Sequence, residues 1–144
     1  MKEKLTENFY LHEFVTKDLH KKWKGRAVIF LDDRIIYLAQ WIRERFGKPM
    51  VVNTWRTEKD GWNYRGWRPA NCTVGAPNSQ HKAGRGLDLH IEGVHVEEIY
   101  DDIWENEGTY YSYGLRCVED VSKTPTWLHI DCRTTFTDYK ILKV

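Results

Sequence analysis

Two short segments restrict the fold and the chemistry of this chain most strongly. Residues 79–90 read SQHKAGRGLDLH, and residues 127–131, about forty positions later, read WLHID. The first segment places His81 and Asp88 seven positions apart with two glycines between them, which is typical of a tight turn that leads into a strand. Imidazole nitrogen and carboxylate oxygen both suit zinc, and a catalytic zinc usually has three protein ligands and one open position. We therefore predict a metal site formed by His81, Asp88 and His129.

Both segments alternate between apolar and polar residues, as strands with one buried face do. In the first, the buried face comprises Leu87, Leu89 and Ile91, and the other face Asp88 and His90. In the second, the buried face comprises Leu128, Ile130 and Cys132, and the polar face Trp127, His129 and Asp131. We expect His90 to be a neighbour of the site or a solvated residue, and Cys132 to be a core residue.

The remaining patterns predict a single α+β domain over residues 1–144. Apolar residues at helical spacing predict a helix over 27–46, which Gly47 ends. Further predictions are a helix over 94–105, a turn at 106–108, strands over 50–55, 86–91, 113–118 and 126–133, and an edge strand in the tail 137–144. Residues 1–25 are expected to form a short helix or an N-terminal arm clamped onto the domain. Because strands follow one another near the end, we expect a mostly antiparallel central sheet flanked by helices.

A long segment without periodicity, residues 57–80, separates the first predicted strand from the motif. A loop of this length in a compact domain is usually functional or disordered, and its aromatic residues Trp62, Tyr64 and Trp67 argue against disorder. They either form a small satellite core that holds the loop, or line a cleft for a sugar or a peptide.

Composition excludes several classes of protein. The net charge of +1 gives no electrostatic reason to bind nucleic acid or an anionic membrane, and no apolar run approaches the roughly 20 residues that span a bilayer. Three cysteines without CxxC spacing argue against a disulfide framework and a cysteine-zinc knuckle. The N-terminus lacks the apolar core of a signal peptide. We expect a monomer that is made in the cytoplasm.

The motifs resemble those of the zinc D-Ala-D-Ala carboxypeptidase family. Residues 79–88 match its SxHxxGxAxD signature, with Gly86 in the place usually held by Ala. Residues 127–131 resemble the closing histidine motif of the branch that acts on peptidoglycan. Residues 8–14 (NFYLHEF) are similar to the family's NFxLxEF arm, and residues 54–56 (TWR) lie where the family has GYR.

The resemblance implies a zinc-dependent peptidase with the fold shared by D-Ala-D-Ala peptidases and the hedgehog signalling domain. Its substrates would be peptides of bacterial peptidoglycan. The zinc ligands it implies are His81, Asp88 and His129. It also suggests that Arg56 binds a substrate carbonyl or carboxylate, and that Ser79 orients the site.

The same resemblance bears on substrate contacts and on the place of action. We assign Trp55 and Trp127 to substrate binding. Small family members without a secretion signal resemble phage or prophage proteins. We therefore expect this chain to act on the cell wall after release or as part of a phage particle.

The sequence departs from the family at the general base. Many members carry a carboxylate three residues before the last ligand, and here that position is Thr126, which cannot serve. The candidate bases are Asp131, which shares the face of the last ligand, and Glu119 and Asp120, which precede that strand. Asp131 could equally be an acceptor for Arg133 or the partner of a ligating imidazole.

Two functions follow from these observations. The first is hydrolysis of cell-wall peptides by metal-activated water. The alternative is a weak or inactive zinc domain that binds cell-wall peptide, such as a phage structural module, and Thr126 favours it. A third interpretation is that His81, Asp88 and His129 are unrelated polar residues. The motif argues against it, because both glycines and the third histidine are in place.

Overall fold

A five-stranded mixed sheet organises the chain, which the computed structural model describes over residues 3–144. Its strands are Met50–Val51 (β1), Gly86–Ile91 (β2), Cys117–Val118 (β3), Leu128–Asp131 (β4) and Leu142–Lys143 (β5). Their order across the sheet is β1-β2-β4-β3-β5, and every neighbouring pair is antiparallel except β3 and β5. The predicted α+β class is confirmed. The sheet is mixed rather than purely antiparallel because the tail returns beside β3 in the same direction.

Within residues 3–144 the sheet is accompanied by four α-helices and three short 3-10 helices. The α-helices are Lys17–Trp23 (α1), Asp33–Phe46 (α2), Val96–Glu105 (α3) and Glu107–Ser112 (α4), and the 3-10 helices are Leu11–Glu13, Lys24–Phe30 and Gln80–Ala83. Helix α2 contacts β2, and its buried face includes Ile35, Leu38, Ala39 and Ile42. No helix in this part of the chain combines the length and the apolar character needed to cross a membrane.

The helix predicted over 27–46 is shorter than its apolar pattern suggested. It begins at Asp33 because Asp32 caps it, accepting a hydrogen bond from the Arg34 amide at 2.9 Å. The preceding residues wind into the tighter 3-10 helix. The predicted end is confirmed, since Gly47 adopts a left-handed φ of 65° there.

Three other boundaries differ from the prediction for local reasons. The strand predicted over 50–55 ends at Val51. The amides of Thr54 and Trp55 donate hydrogen bonds to the carbonyl of Trp62 instead of to a neighbouring strand. The turn predicted at 106–108 is the start of helix α4, which buries Tyr110 completely. That helix also shortens the strand predicted over 113–118 to Cys117–Val118.

The described part of the N-terminal arm lies on the core. Phe9, Leu11, Phe14 and Val15 are all buried. The carbonyl of Val15 accepts hydrogen bonds from Asn53 Nδ2 at 3.0 Å and from Trp55 Nε1 at 2.9 Å. These hydrogen bonds hold the arm against the segment that follows β1.

Candidate metal centre

The three predicted ligands meet at the centre of the sheet. Asp88 on β2 pairs directly with His129 on β4, and His81 enters from the 3-10 helix before β2. Asp88 Oδ1 lies 3.1 Å from His81 Nε2 and 2.9 Å from His129 Nδ1. One donor atom from each residue lies within 4.8 Å of the others, so the group could hold a metal ion.

The glycines of the motif allow His81 and Asp88 to come together. Gly84 ends the 3-10 helix with a left-handed φ of 70°, and a Cβ there would collide with the carbonyl oxygen of Phe30. At Gly86 a Cβ would lie 3.1 Å from the amide nitrogen of His81. Gly86, the departure from the family signature, thus relieves a tight contact behind a ligand.

Hydrogen bonds fix which nitrogen of each imidazole faces the centre. Nδ1 of His81 lies 2.8 Å from the carbonyl oxygen of Gly66, so it must donate there, which leaves Nε2 available to bind a metal ion. Nε2 of His129 lies 3.0 Å from Asp131 Oδ2, which leaves its Nδ1 towards Asp88. Metal-binding histidines commonly have such a partner on the other nitrogen.

Asp131 is placed as a partner of the ligand His129. Its side chain has no exposed surface, and its oxygens accept from Arg133 Nε at 2.8 Å and Arg133 Nη2 at 2.7 Å as well as from His129. The sequence left two roles other than catalysis open for Asp131, an acceptor for Arg133 and the partner of a ligating imidazole. The contacts of Asp131 fit both roles. This environment favours an orienting role over that of a base, because both oxygens are already engaged.

The pKa values agree with a site that holds positive charge between its carboxylates. Burial alone would raise the pKa of Asp88, but its close contacts with the imidazoles of His129 and His81 hold it well below its usual range. Burial opposes charge on His129, yet its hydrogen bonds to Asp131 and Asp88 raise its pKa to about 9. The raised pKa favours the positively charged imidazolium form of His129 at neutral pH in the metal-free protein, between the two carboxylates.

The donor set is of a chemical type that suits zinc. Two imidazoles and one carboxylate form a three-ligand set of the kind found in catalytic zinc sites. Tetrahedral zinc with bonds of about 2.0–2.1 Å separates its ligand atoms by roughly 3.3 Å. The two separations from Asp88 Oδ1, 2.9 and 3.1 Å, are close to that value, and all three donor atoms lie within 4.8 Å of one another.

Of the other candidate bases, Glu119 lies at the site. The pairing of Val118 with Ile130, continued by one residue, puts Glu119 opposite His129, and the Glu119 amide donates to the His129 carbonyl at 3.1 Å. Directly opposed residues point to the same side of a sheet. Glu119 also lines a cavity of about 640 Å³ together with all three ligands.

Asp120, by contrast, belongs to a surface turn. Its Oδ1 accepts from the Ser122 amide at 2.9 Å, and its Oδ2 lies 3.4 Å from Lys143 Nζ. The hydrogen bond from the Ser122 backbone lowers the pKa of Asp120. Asp120 is not among the residues that line the cavity.

Two residues assigned to substrate binding lie away from the ligands. Arg56 is exposed and lines none of the cavities around the ligands. Trp55 is held by the arm through its bond to Val15, with its ring 6.0 Å from that of His12. Trp127, in contrast, lines both of the cavities that include Asp88.

The two residues predicted to support the site behave differently. Ser79 caps the 3-10 helix, and its Oγ accepts from the His81 amide at 3.2 Å, so it positions a ligand. His90 lies on the predicted face, but its Nδ1 is 2.9 Å from Arg65 Nη1. Burial, and then the charge of Arg65, lowers the pKa of His90.

The sequence reasoning missed the contribution of the long loop. Arg68 is buried and donates to Asp88 Oδ2 at 2.9 Å, so it faces the oxygen that points away from the imidazoles. Loop backbone also reaches the site, with the Asp88 amide donating to Arg65 O at 2.8 Å and the Arg68 amide to His81 O at 3.1 Å. No periodicity marks these positions, and only the prediction that the loop is ordered pointed towards them.

The loop aromatics divide between the two roles considered for them. Trp67 packs on Phe30 with ring centroids 5.3 Å apart and belongs with the core. Trp62 and Tyr64 are partly exposed and line a second cavity of about 410 Å³ beside Asp88. Trp67 therefore joins the main core rather than a separate satellite core, and Trp62 and Tyr64 line a cleft.

Searches against family models, curated proteins and solved structures find no match to this chain. The functional case therefore depends on the motifs and on the geometry of the site.

Proposed function

We propose that this protein is a zinc-dependent peptidase that hydrolyses amide bonds in the peptides of bacterial cell walls. The observation that carries the proposal is a donor set of His81, Asp88 and His129, in which each imidazole has a hydrogen-bond partner on the nitrogen away from Asp88 and all three residues line one cavity. Structural zinc sites are closed by four protein ligands, whereas catalytic sites keep a position open. The cell-wall substrate is supported by the order of the motifs along the chain.

The chemistry requires a metal, a base and a group that stabilises negative charge. A zinc ion held by His81, Asp88 and His129 would act as a Lewis acid that polarises the scissile carbonyl, and it would lower the pKa of water to about 7. Glu119 accepts the proton of the attacking water and returns it to the leaving amine. This role is supported by its position opposite His129 and in the same cavity.

Arg68 is the best-placed cation for the role that the sequence gave to Arg56. It lines both cavities beside Asp88, and its bonds to Asp88, the Tyr64 carbonyl and the Val74 carbonyl fix its orientation. A guanidinium has further N–H donors that these bonds do not use. Those donors stabilise the oxygen on which charge develops.

The finer assignments are part of the same proposal. We take the sheet and its helices to be a version of the fold shared by D-Ala-D-Ala peptidases and the hedgehog domain. A monomeric peptidase of this kind would reach peptidoglycan after release from the cell or as part of a phage particle.

The proposal is tested by mass spectrometry of muropeptides after purified cell walls are incubated with the zinc-loaded protein. New peptide ends are expected with the unaltered protein. Asp88→Ala should lose zinc and activity together, whereas Glu119→Gln should keep zinc and lose activity by about 10²–10⁴-fold. A Glu119→Gln variant with an unchanged rate would remove Glu119 from the mechanism.

A second function is a zinc domain that binds cell-wall peptide without cutting it. Thr126 at the family's base position is the observation that favours it. Walls from several bacteria that stay intact in the presence of the zinc-loaded protein, while co-sedimenting with it, would establish this function and exclude the peptidase.

A further inference from the structure

We propose that the protein has a separate binding site for a carboxylate group, at the N-terminus of helix α3 and around the buried guanidinium of Arg65. The site is a cavity of about 380 Å³, and none of the three candidate metal ligands is among its lining residues. It shares Trp62 and Arg65 with the cavity of about 410 Å³ beside Asp88. Binding of a carboxylate here does not depend on the proposed hydrolysis.

The side chain of Arg65 is a buried positive charge without an acidic partner. Arg65 is 9% exposed, and within residues 3–144 no carboxylate forms an ion pair with it. In this part of the chain its guanidinium forms one hydrogen bond, to His90 Nδ1 at 2.9 Å, and His90 must accept because a guanidinium only donates. A buried charge that lacks a partner is costly, so an anion beside Arg65 would be favoured.

The guanidinium is held in place and has donors that remain unused. Its Cζ lies 3.8 Å from the centre of the Trp62 ring, and the backbone of Arg65 is bonded to Asn53 Oδ1 and to the Asp88 amide. The fully buried side-chain atoms without a hydrogen-bond partner, in the part of the chain that the structure describes, belong to other residues. The remaining donors of Arg65 therefore reach the surface of a cavity, where a carboxylate can accept from two of them.

The N-terminus of helix α3 presents further donors to the same cavity. His95, Val96 and Glu97 line it, and the helix is 10 residues long. The first amides of a helix have no acceptor within the helix. The His95 amide is bonded to Glu98 Oε2 at 2.8 Å, but the amides of Val96 and Glu97 have no acceptor among residues 3–144. Free amides at this end of a helix favour an anion, independently of Arg65.

The balance of charge favours a carboxylate over a phosphate. Arg65 supplies one unpaired positive charge, which a single carboxylate neutralises. Glu97 also lines the cavity, and its exposed side chain would repel any further negative charge. A phosphate group carries a charge of about −1.5 to −2 at neutral pH, so it would be repelled more strongly.

A peptide in the cleft at the metal group would reach this site. His90, which lines the carboxylate site, lies two residues after Asp88 on the same face of β2, a separation of about 7 Å. We therefore identify the ligand as an acidic peptide that carries a carboxylate about that far from Asp88. This step rests on the proposed function, whereas the carboxylate site itself does not.

The test is an NMR titration of the isotope-labelled, zinc-loaded protein with sodium acetate, at an ionic strength held constant with chloride. The amide signals of Val96 and Glu97 should shift and saturate, and inorganic phosphate should bind more weakly. Arg65→Gln should weaken acetate binding by about tenfold or more, because a hydrogen bond to a charged group is lost. Shifts that do not saturate, equal affinity in the Arg65→Gln protein, or tighter binding of phosphate would overturn the proposal.

Two variants on the surface of α3 test the helix N-terminus without altering the core. Glu97→Gln removes the negative charge that lines the cavity and should tighten acetate binding by about two- to fivefold. Glu105→Gln is the matched control, since Glu105 is also exposed but lies at the other end of the helix and does not line this cavity. Equal acetate affinity in the two variants would contradict the placement of the anion.

A pair of muropeptides separates the acidic ligand from the peptidase function. In the zinc-loaded Glu119→Gln protein, a muropeptide monomer should bind more tightly than the same monomer with its carboxylates amidated, and Arg65→Gln should remove most of that difference. A preference that persists without Arg65 would assign the peptide carboxylate to another cation, such as Arg68, and overturn the link to the cleft. Cell walls that the unaltered protein leaves intact, with acetate binding as expected, would overturn hydrolysis and leave the carboxylate site standing.

Discussion

Replacing Asp131 by Asn tests whether this carboxylate orients a ligand or acts as the base. Oδ2 of Asp131 accepts from His129 Nε2 at 3.0 Å and from Arg133 Nη2 at 2.7 Å, and Oδ1 accepts from Arg133 Nε at 2.8 Å. An Asn has only one acceptor oxygen, so its amide group must face either His129 or Arg133. In both orientations two donors meet in a site without solvent access.

The magnitude follows from which hydrogen bond is lost. If the amide faces His129, the imidazole must move its proton to Nδ1, the atom that ligation requires free of a proton. Losing a hydrogen bond to a charged group costs about 1.5–3 kcal/mol. Changes at the partner of a ligating histidine typically weaken metal binding by about 10–100-fold, or about 1.4–2.7 kcal/mol. The two estimates agree, and we expect a loss in that range.

The assay has two parts. Zinc affinity is measured by competition with a chromophoric chelator, and hydrolysis is then measured at saturating zinc. Asp131→Asn should lose affinity and, once loaded, keep its rate to within a few-fold. Asp120→Asn is the control, because its carboxylate lies in a surface turn near Lys143 and should change neither quantity.

The opposite pattern would refute this reasoning. If Asp131→Asn bound zinc normally but lost about 10²–10⁴-fold in rate when loaded, Asp131 would be the base. Glu119 would then have no role in proton transfer.

Three further predictions concern the support of the site. Gly66→Ala should destabilise the fold by about 1–3 kcal/mol in urea unfolding and weaken zinc binding, because its Cβ would lie 2.7 Å from the carbonyl carbon of Phe14 while its own carbonyl holds His81. Gly108→Ala is the control: a Cβ there meets open space in helix α4, so the fold should be as stable as before or more stable by up to about 1 kcal/mol. In the metal-free protein, the pKa of His129 is raised from 6.5 to about 9, so its contribution to the free energy of unfolding is complete below pH 6.5 and is lost as the pH rises through 9. Zinc affinity, measured by calorimetry, should rise over the same range because zinc displaces that proton; a flat profile would contradict the raised pKa. Arg56→Ala should leave hydrolysis unchanged, and a large loss of rate would restore the role that the sequence assigned to Arg56.

The parts of the site that could be predicted are those that periodicity or motif spacing encodes. Alternation along 86–91 and 128–131 fixes which side chains share a face, so Asp88 and His129 could be expected on one side of the sheet and Cys132 on the other. The two glycines of the motif predicted the turn that brings His81 to Asp88 and His129. These predictions succeeded because a strand's side-chain period leaves little freedom.

The parts that could not be predicted depend on tertiary contacts of the aperiodic loop. Arg68 reaches Asp88 because loop backbone is bonded to His81 and Asp88, and Gly66 presents its carbonyl to His81 for the same reason. The backbone of Thr54 and Trp55 leaves the sheet to bond Trp62, which carries Arg56 away from the cavities. Local sequence propensity does not predict such contacts, because they depend on partners far along the chain.

The absence of a carboxylate at Thr126 is the strongest argument against catalysis, and the sheet weakens it. Asp88, His129 and Glu119 occupy one row across β2, β4 and the end of β3, so a carboxylate stands beside the last ligand although none precedes it on its own strand. Proton transfer requires a base within reach of the attacking water, and it does not depend on which strand carries that base. A base can therefore come from the end of β3 instead of from the turn before β4, where Thr126 lies. A double variant tests this. If Thr126→Glu restores hydrolysis to the Glu119→Gln protein, the two positions serve one site. If the double variant binds zinc but recovers no hydrolysis, Thr126 lies too far from the attacking water.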